Sequence, residues 1–206
     1  MNIQKKHWET IYTHKQPNEV SWTQKIPQTS LQFISDANLP KSASIIDIGG
    51  GDSNLVDYLL EEGYSNISVL DISEFALQRA KHRLGEKAQK VNWIVSDVLE
   101  FKPNCKYDFW HDRAAFHFLT TELQITQYLS TARSFIQKNG TATISTFSEL
   151  GPTKCSGLAI QQYSEETLSS ELNNGFEKIK CLQENHITPF NTTQNFLYCS
   201  FKRKFK

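Results

Sequence analysis

The sequence predicts an α/β protein: a mostly parallel sheet with helices on both faces, a helical cap before it and an antiparallel last strand. Three observations predict this. From residue 44 onward short apolar runs alternate with segments of helical period, the order that builds a parallel sheet covered by crossover helices. Glycines and acids collect directly after the apolar runs. From residue 176 the alternation stops, and "FEKIKCL" and "NFLYCSF" read as two long strands around a turn at Pro189 and Asn191.

Residues 1–40, with "HWETIY", "EVSW" and "SLQFISDA", read as a helical cap independent of the sheet. "SIIDI" (44–48) is the first strand, and Leu55, Val56, Leu59 and Leu60 form one face of a helix that Gly63 ends. "ISVL" (67–70) is the second strand. Ser73 then caps a helix with an apolar stripe at Ala76, Leu77, Ala80 and Leu84, stopped by Gly85. "VNWIV" (91–95) and "YDFW" (107–110) are the third and fourth strands, and Ile125, Leu129, Ala132 and Ile136 mark a helix closed by Asn139 and Gly140. "TATISTF" (141–147) is the fifth strand, "GPTKCSG" a loop, and Ser164 opens a short helix. The terminal pair is expected to finish one edge of the sheet.

A length of 206 residues fits one domain over the whole chain. Lys plus Arg and Asp plus Glu each total 22, so no broad electrostatic pull toward nucleic acid or anionic lipid exists. The partner is expected to be a small molecule or a protein, and composition leaves monomer and dimer open. Cys105, Cys155, Cys181 and Cys199 show no CxxC pairing, which disfavours a metal and predicts free thiols in a reducing compartment. The N-terminus lacks the charged-then-apolar pattern of a signal peptide, and no run approaches the ~20 apolar residues of a membrane span. The expected location is the cytoplasm.

In open α/β sheets ligands bind beyond the carboxyl ends of the strands, where strand order reverses. Here Gly49, Gly50 and Gly51 follow the first strand, Asp71 the second, Asp97 the third, and His111 and Asp112 the fourth. Three glycines give a tight turn and let a ligand approach bare backbone. Asp71 lies 22 positions past Gly49, near the ~20 expected for an acid that binds a ribose; it also suits capping of the helix near Ser73. A dinucleotide site wants a third glycine where Asn54 stands, and Asp52 would repel a pyrophosphate. A ribose-and-adenine ligand with a cationic, phosphate-free tail meets neither obstacle.

"IIDIGGGDSNL" resembles the first motif of the class I S-adenosylmethionine-dependent methyltransferases, with Asp47 at its start, Gly49 and Gly51 at glycine positions and Ser53 where a third glycine is often found. "VLDIS" resembles the second motif, which implies that Asp71 and Ile72 hold the ribose side of S-adenosyl-L-methionine. "VSDVLEF" resembles the adenine-binding motif through Asp97 and Val98, and "YDFWHDRAAFHFL" resembles the fourth motif. The layout matches along residues 1–206, and four motifs carry it. The resemblance implies a Rossmann-like sheet of seven strands with the last antiparallel beside the fifth. It also implies that Trp22 covers part of the cofactor pocket, although Trp8, Tyr12 and Trp22 equally suit packing of the cap on the core.

The implied reaction is in-line methyl transfer, which needs alignment and exclusion of water more than an obligatory catalytic residue. No catalytic residue is assigned. Asp112 is expected at the methionine end of the cofactor, with His111, His117, Cys155 and Tyr163 as candidate acceptor contacts. His117 sits among apolar residues and also reads as structural. "HDRA" replaces the Asn or Asp followed by two prolines of the enzymes that methylate adenine or glutamine. The acceptor is therefore a small molecule or a protein lysine, and nucleic acid is disfavoured. The competing readings are a nicotinamide-dependent oxidoreductase and a catalytically silent interaction module.

Overall fold

The computed structural model describes residues 3–204. Two helices, α1 (Ile3–His14) and α2 (Gln28–Asp36), lead into β1 (Ser44–Ile48), α3 (Leu55–Glu61), β2 (Asn66–Asp71), α4 (Glu74–Leu84) and β3 (Val91–Val95). Then come β4 (Tyr107–Arg113), α5 (Glu122–Phe135), β5 (Ile136–Phe147), the short strands β6 (Lys154–Cys155) and β7 (Leu158–Ala159), α6 (Glu165–Leu172), β8 (Phe176–Ile187) and β9 (Thr193–Arg203). Seven strands form one sheet in the order β3-β2-β1-β4-β5-β9-β8. β1 to β5 are parallel, and β9 alone runs antiparallel, between β5 and β8. The expected mostly parallel seven-stranded sheet with an antiparallel last strand is the observed one.

Strand alternation divides the core into two layers. Ile45, Ile67, Val69 and Phe109 face α2, α3 and α4, while Ile46, Leu70, Trp110 and Ile144 face α5 and α6. The caps follow local chemistry: Ser73 Oγ accepts from Ala76 N–H at 3.1 Å, and Thr121 and Ser164 each close a capping box.

Four expectations are corrected. α5 stops at Phe135, and the buried Ile136 opens β5 opposite Tyr107; an apolar residue spaced for a helix also suits a sheet, and the register decided. The "GPTKCSG" segment carries a hairpin, β6 against β7, whose turn residues Ser156 and Gly157 both have positive φ. The N-terminal cap is not independent, because Glu9 of α1 accepts from the Ser73 hydroxyl at 2.9 Å and the Glu74 N–H at 2.8 Å, capping α4. Finally, Cys181 and Cys199 stand opposite each other on β8 and β9 and form a disulfide, leaving Cys105 and Cys155 as free thiols. Cross-strand register brings them together, which spacing alone does not reveal. Among the described residues no helix is long and apolar enough to cross a membrane.

Candidate cofactor and acceptor pocket

Strand order reverses between β1 and β4, and a pocket opens there beyond the strand ends, roofed by α1 and the segment leading to α2. The glycine turn forms its floor. Gly49 and Gly51 have φ of 65° and 51°, a region that side chains rarely adopt. Protein neighbours also occupy their Cβ directions: Ala115 Cβ lies 2.7 Å from a Cβ built on Gly49, and Tyr12 Oη 2.6 Å from one built on Gly51. The bare turn therefore receives packed protein as well as bordering the pocket.

Asp71 ends β2 and is 5 % exposed. Its Oδ1 accepts from Ser73 N–H at 2.7 Å. Burial, reinforced by nearby Asp52, outweighs this bond and raises its pKa to about 7. Ile72, Asp97 and Val98 line the pocket beside it, and Asp97 Oδ1 accepts from Leu99 N–H at 2.9 Å. Asp52 is pushed up by burial against the opposing pull of Arg79, whose guanidinium is 3.4 Å away. Asn54, where a third glycine was sought, donates to the Gln24 and Lys25 carbonyls at 3.0 and 3.1 Å. It ties the N-terminal segment to the turn.

A buried polar chain crosses the pocket wall. Asp47 Oδ1 lies 2.7 Å from His111 Nδ1, and His111 Nε2 lies 2.9 Å from Ser30 Oγ. Facing a carboxylate, Nδ1 carries a proton. Ser30 thereby fastens α2 to β1 and β4; its role was not legible, because it lies 81 positions from His111.

Trp22 lines the pocket, and so do Trp8 and Tyr12, whose rings contact Trp22 edge-on at centroid distances of 5.8 and 6.2 Å. Packing and covering, posed as alternatives, coexist. Cys155 faces the pocket from β6, its thiol pushed up to about 11 by burial.

Four candidates lie outside the lining: Gly51, which packs against Tyr12, and Asp112, His117 and Tyr163. Asp112 is fully buried on the opposite face of β4, accepting from Tyr128 Oη–H at 2.6 Å and from Ala115 and Phe116 N–H at 3.0 Å each. It shapes the turn after β4 instead of meeting the methionine end of a cofactor. His117 is fully buried, its Nδ1 accepting from Phe147 N–H at 3.3 Å, and burial with the nearby Arg113 charge lowers its pKa to about 3. Tyr163 is a core residue against Phe116, with ring centroids 5.5 Å apart. Conversely, sequence reasoning missed Arg113, which lines the pocket one residue past Asp112; the basic residue between "FWHD" and "AAF" was its signal.

A glycine turn, two acids on successive strand tips and a doubly wound sheet in this order give the chain the Rossmann-like fold seen in solved methyltransferases. Residues 46–142 match the family described as "Methyltransferase domain". Among curated relatives, malonyl-[acyl-carrier protein] O-methyltransferase 2 of Ilyobacter polytropus is 30 % identical over 116 residues, 56 % of this chain and 42 % of its own. EEF1A lysine methyltransferase 2 of Danio rerio is 24 % identical over 151 residues, 66 % of this chain and 65 % of its own. The chain thus spans less than two thirds of either relative. Among solved structures, the 1,6-didemethyltoxoflavin-N1-methyltransferase of Burkholderia thailandensis, with S-adenosylhomocysteine and 1,6-didemethyltoxoflavin bound, superposes with a TM-score of 0.74 at 18 % identity, over 98 % of this chain and 88 % of that one.

Proposed function

We propose that residues 1–206 act as one methyltransferase domain that moves a methyl group from S-adenosyl-L-methionine to a small-molecule or protein side-chain acceptor by in-line displacement. The observation that carries this reading is the pairing of Asp71 with Asp97 at neighbouring strand tips beside the glycine turn. A ribose offers two hydroxyl donors and an adenine an exocyclic amine, and two carboxylates are the matching acceptors. Ile72 and Val98 border the adenine, Gly49 and Gly51 keep the turn close to the ribose, and Asp47 anchors His111 through a hydrogen bond. Trp22, with Trp8 and Tyr12, closes the pocket against water.

Bound there, the cofactor supplies a methyl group already activated on a sulfonium. The acids on this side of the pocket favour its positive charge, and the walls hold nucleophile and methyl in line. Nicotinamide binding fits less well, since Asn54 is committed to the Gln24 and Lys25 carbonyls and Asp52 stands where a pyrophosphate would lie. Calorimetric titration with S-adenosylhomocysteine, and separately with NADH, tests the cofactor. Micromolar binding of NADH alone would overturn the proposal. Radiolabelled donor with cell extract, split into protein and small-molecule fractions, identifies the acceptor class; label in neither would favour a silent module.

A further inference from the structure

The pocket is electrically lopsided. Asp47, Asp52, Asp71 and Asp97 lie on the β1, β2 and β3 side, where the cofactor is placed. On the β4, β5 and β9 side stands Arg113, at the end of β4 on the face that also carries His111. Its Nε–H donates to Tyr198 Oη at 2.8 Å and its Nη1 to the Trp22 carbonyl at 3.0 Å. Its Nη2 is buried with no hydrogen-bond partner. A guanidinium has five N–H donors, so these two bonds leave three unmet.

No carboxylate among the described residues lies within ion-pair distance of Arg113, whereas Arg79 and Arg83 are paired with Asp52 and Asp57. What surrounds Arg113 is neutral or aromatic: the Phe196 ring lies 4.5 Å from the guanidinium carbon, and Cys155, His117 and His186 all feel its positive charge. A partly buried cation with a buried, unmet donor and no counterion is unfavourable, and protein sites retain one where a ligand completes it. The planar fork of donors matches a carboxylate in two-point geometry.

We infer that Arg113 is the binding residue for a carboxylate on the methyl acceptor. The inference rests on the methyltransferase reading and deepens it: the acceptor is an organic acid, or a larger molecule presenting one, held on the opposite side of the pocket from the acids that take the adenosine. Tyr198 and the Trp22 carbonyl hold the guanidinium in place. The cofactor's own carboxylate is the other source of this chemistry, and the test separates the two.

S-adenosylhomocysteine is titrated into wild type, Arg113→Gln and Arg113→Lys. Malonate, succinate and glutarate, with their diamides as neutral controls, are then titrated into each complex. The expected result is unchanged S-adenosylhomocysteine affinity within about twofold, with at least one diacid binding wild type and its diamide not binding. That diacid should weaken tenfold or more in Arg113→Gln and by a smaller factor in Arg113→Lys, which keeps the charge without the fork. Three outcomes overturn the inference: no diacid binds wild type; the diacid binds all three proteins alike; or S-adenosylhomocysteine itself weakens tenfold in Arg113→Gln, which would give Arg113 to the cofactor. Failure of wild type to bind S-adenosylhomocysteine would instead sink the underlying reading. Should Arg113→Gln not fold, Arg113→Lys carries the comparison.

Discussion

Asp71 shows how a single carboxyl can register both burial and ligand. Folding raises its pKa to about 7, so below that pH the protonated form is favoured in the ligand-free protein. The sign follows: its contribution to stability is full below the unfolded carboxyl pKa and is lost as pH rises through about 7. In the proposed complex ribose hydroxyls would donate to the ionised form, which gives the opposite dependence for binding. S-adenosylhomocysteine affinity should therefore tighten as pH rises from 6 to 8 and then level off, in calorimetry across that range. Asp71→Ala should flatten that profile and weaken binding by roughly 1.5 to 3 kcal/mol, the scale of a charge-assisted hydrogen bond. A wild-type profile that is flat would remove the ribose from Asp71. The acid itself was readable from its spacing past Gly49; its burial was not, because that depends on Tyr12 and Asp52 closing around it.

At the scale of the element, β4 explains why neighbouring polar residues have separate tasks. His111 and Arg113 point to the pocket side and Asp112 between them points to the α5 layer, as a period of two requires. The sequence reading set His111 and Asp112 just after a strand ending at Trp110, whereas β4 runs on through Arg113 and includes both; a position along a strand also says nothing of which face is covered by which helix. In the α5 layer Asp112 joins Tyr128, which itself accepts from Trp110 Nε1–H at 2.9 Å. Asp112→Ala would strand the Tyr128 hydroxyl and two backbone N–H groups in the core. Stability should fall by about 2 to 4 kcal/mol, measured by urea unfolding, with S-adenosylhomocysteine affinity kept in the folded fraction. A loss of binding without a loss of stability would return Asp112 to the pocket.

Across the whole molecule, the shape of the pocket depends on the N-terminal helices being part of the fold. α1 closes the pocket with Trp8 and Tyr12, and Glu9 fixes α1 to the start of α4 through Ser73, Glu74 and Phe75. The cap thus links the lid to the strand that carries Asp71. Glu9→Ala should cost about 1 kcal/mol, the usual worth of a cap, and raise hydrogen exchange across residues 3–14 more than elsewhere. S-adenosylhomocysteine should then bind more weakly and restore part of that protection; exchange confined to α4 would show that α1 stays seated without Glu9.

Local chemistry alone determined the strand order of appearance, the Ser73 and Ser164 caps, the glycine turn and the acids at the strand tips, because hydrophobic period, cap residues and turn residues act over a few positions. Tertiary structure decided the rest: that Ile136 joins a strand, that Cys181 meets Cys199 across a ladder, that Ser30 reaches His111, and that Arg113 is left without an acid. Each of these depends on which distant segment lies alongside, and that choice is made by sheet register and layer packing, whose partners no short stretch of sequence contains.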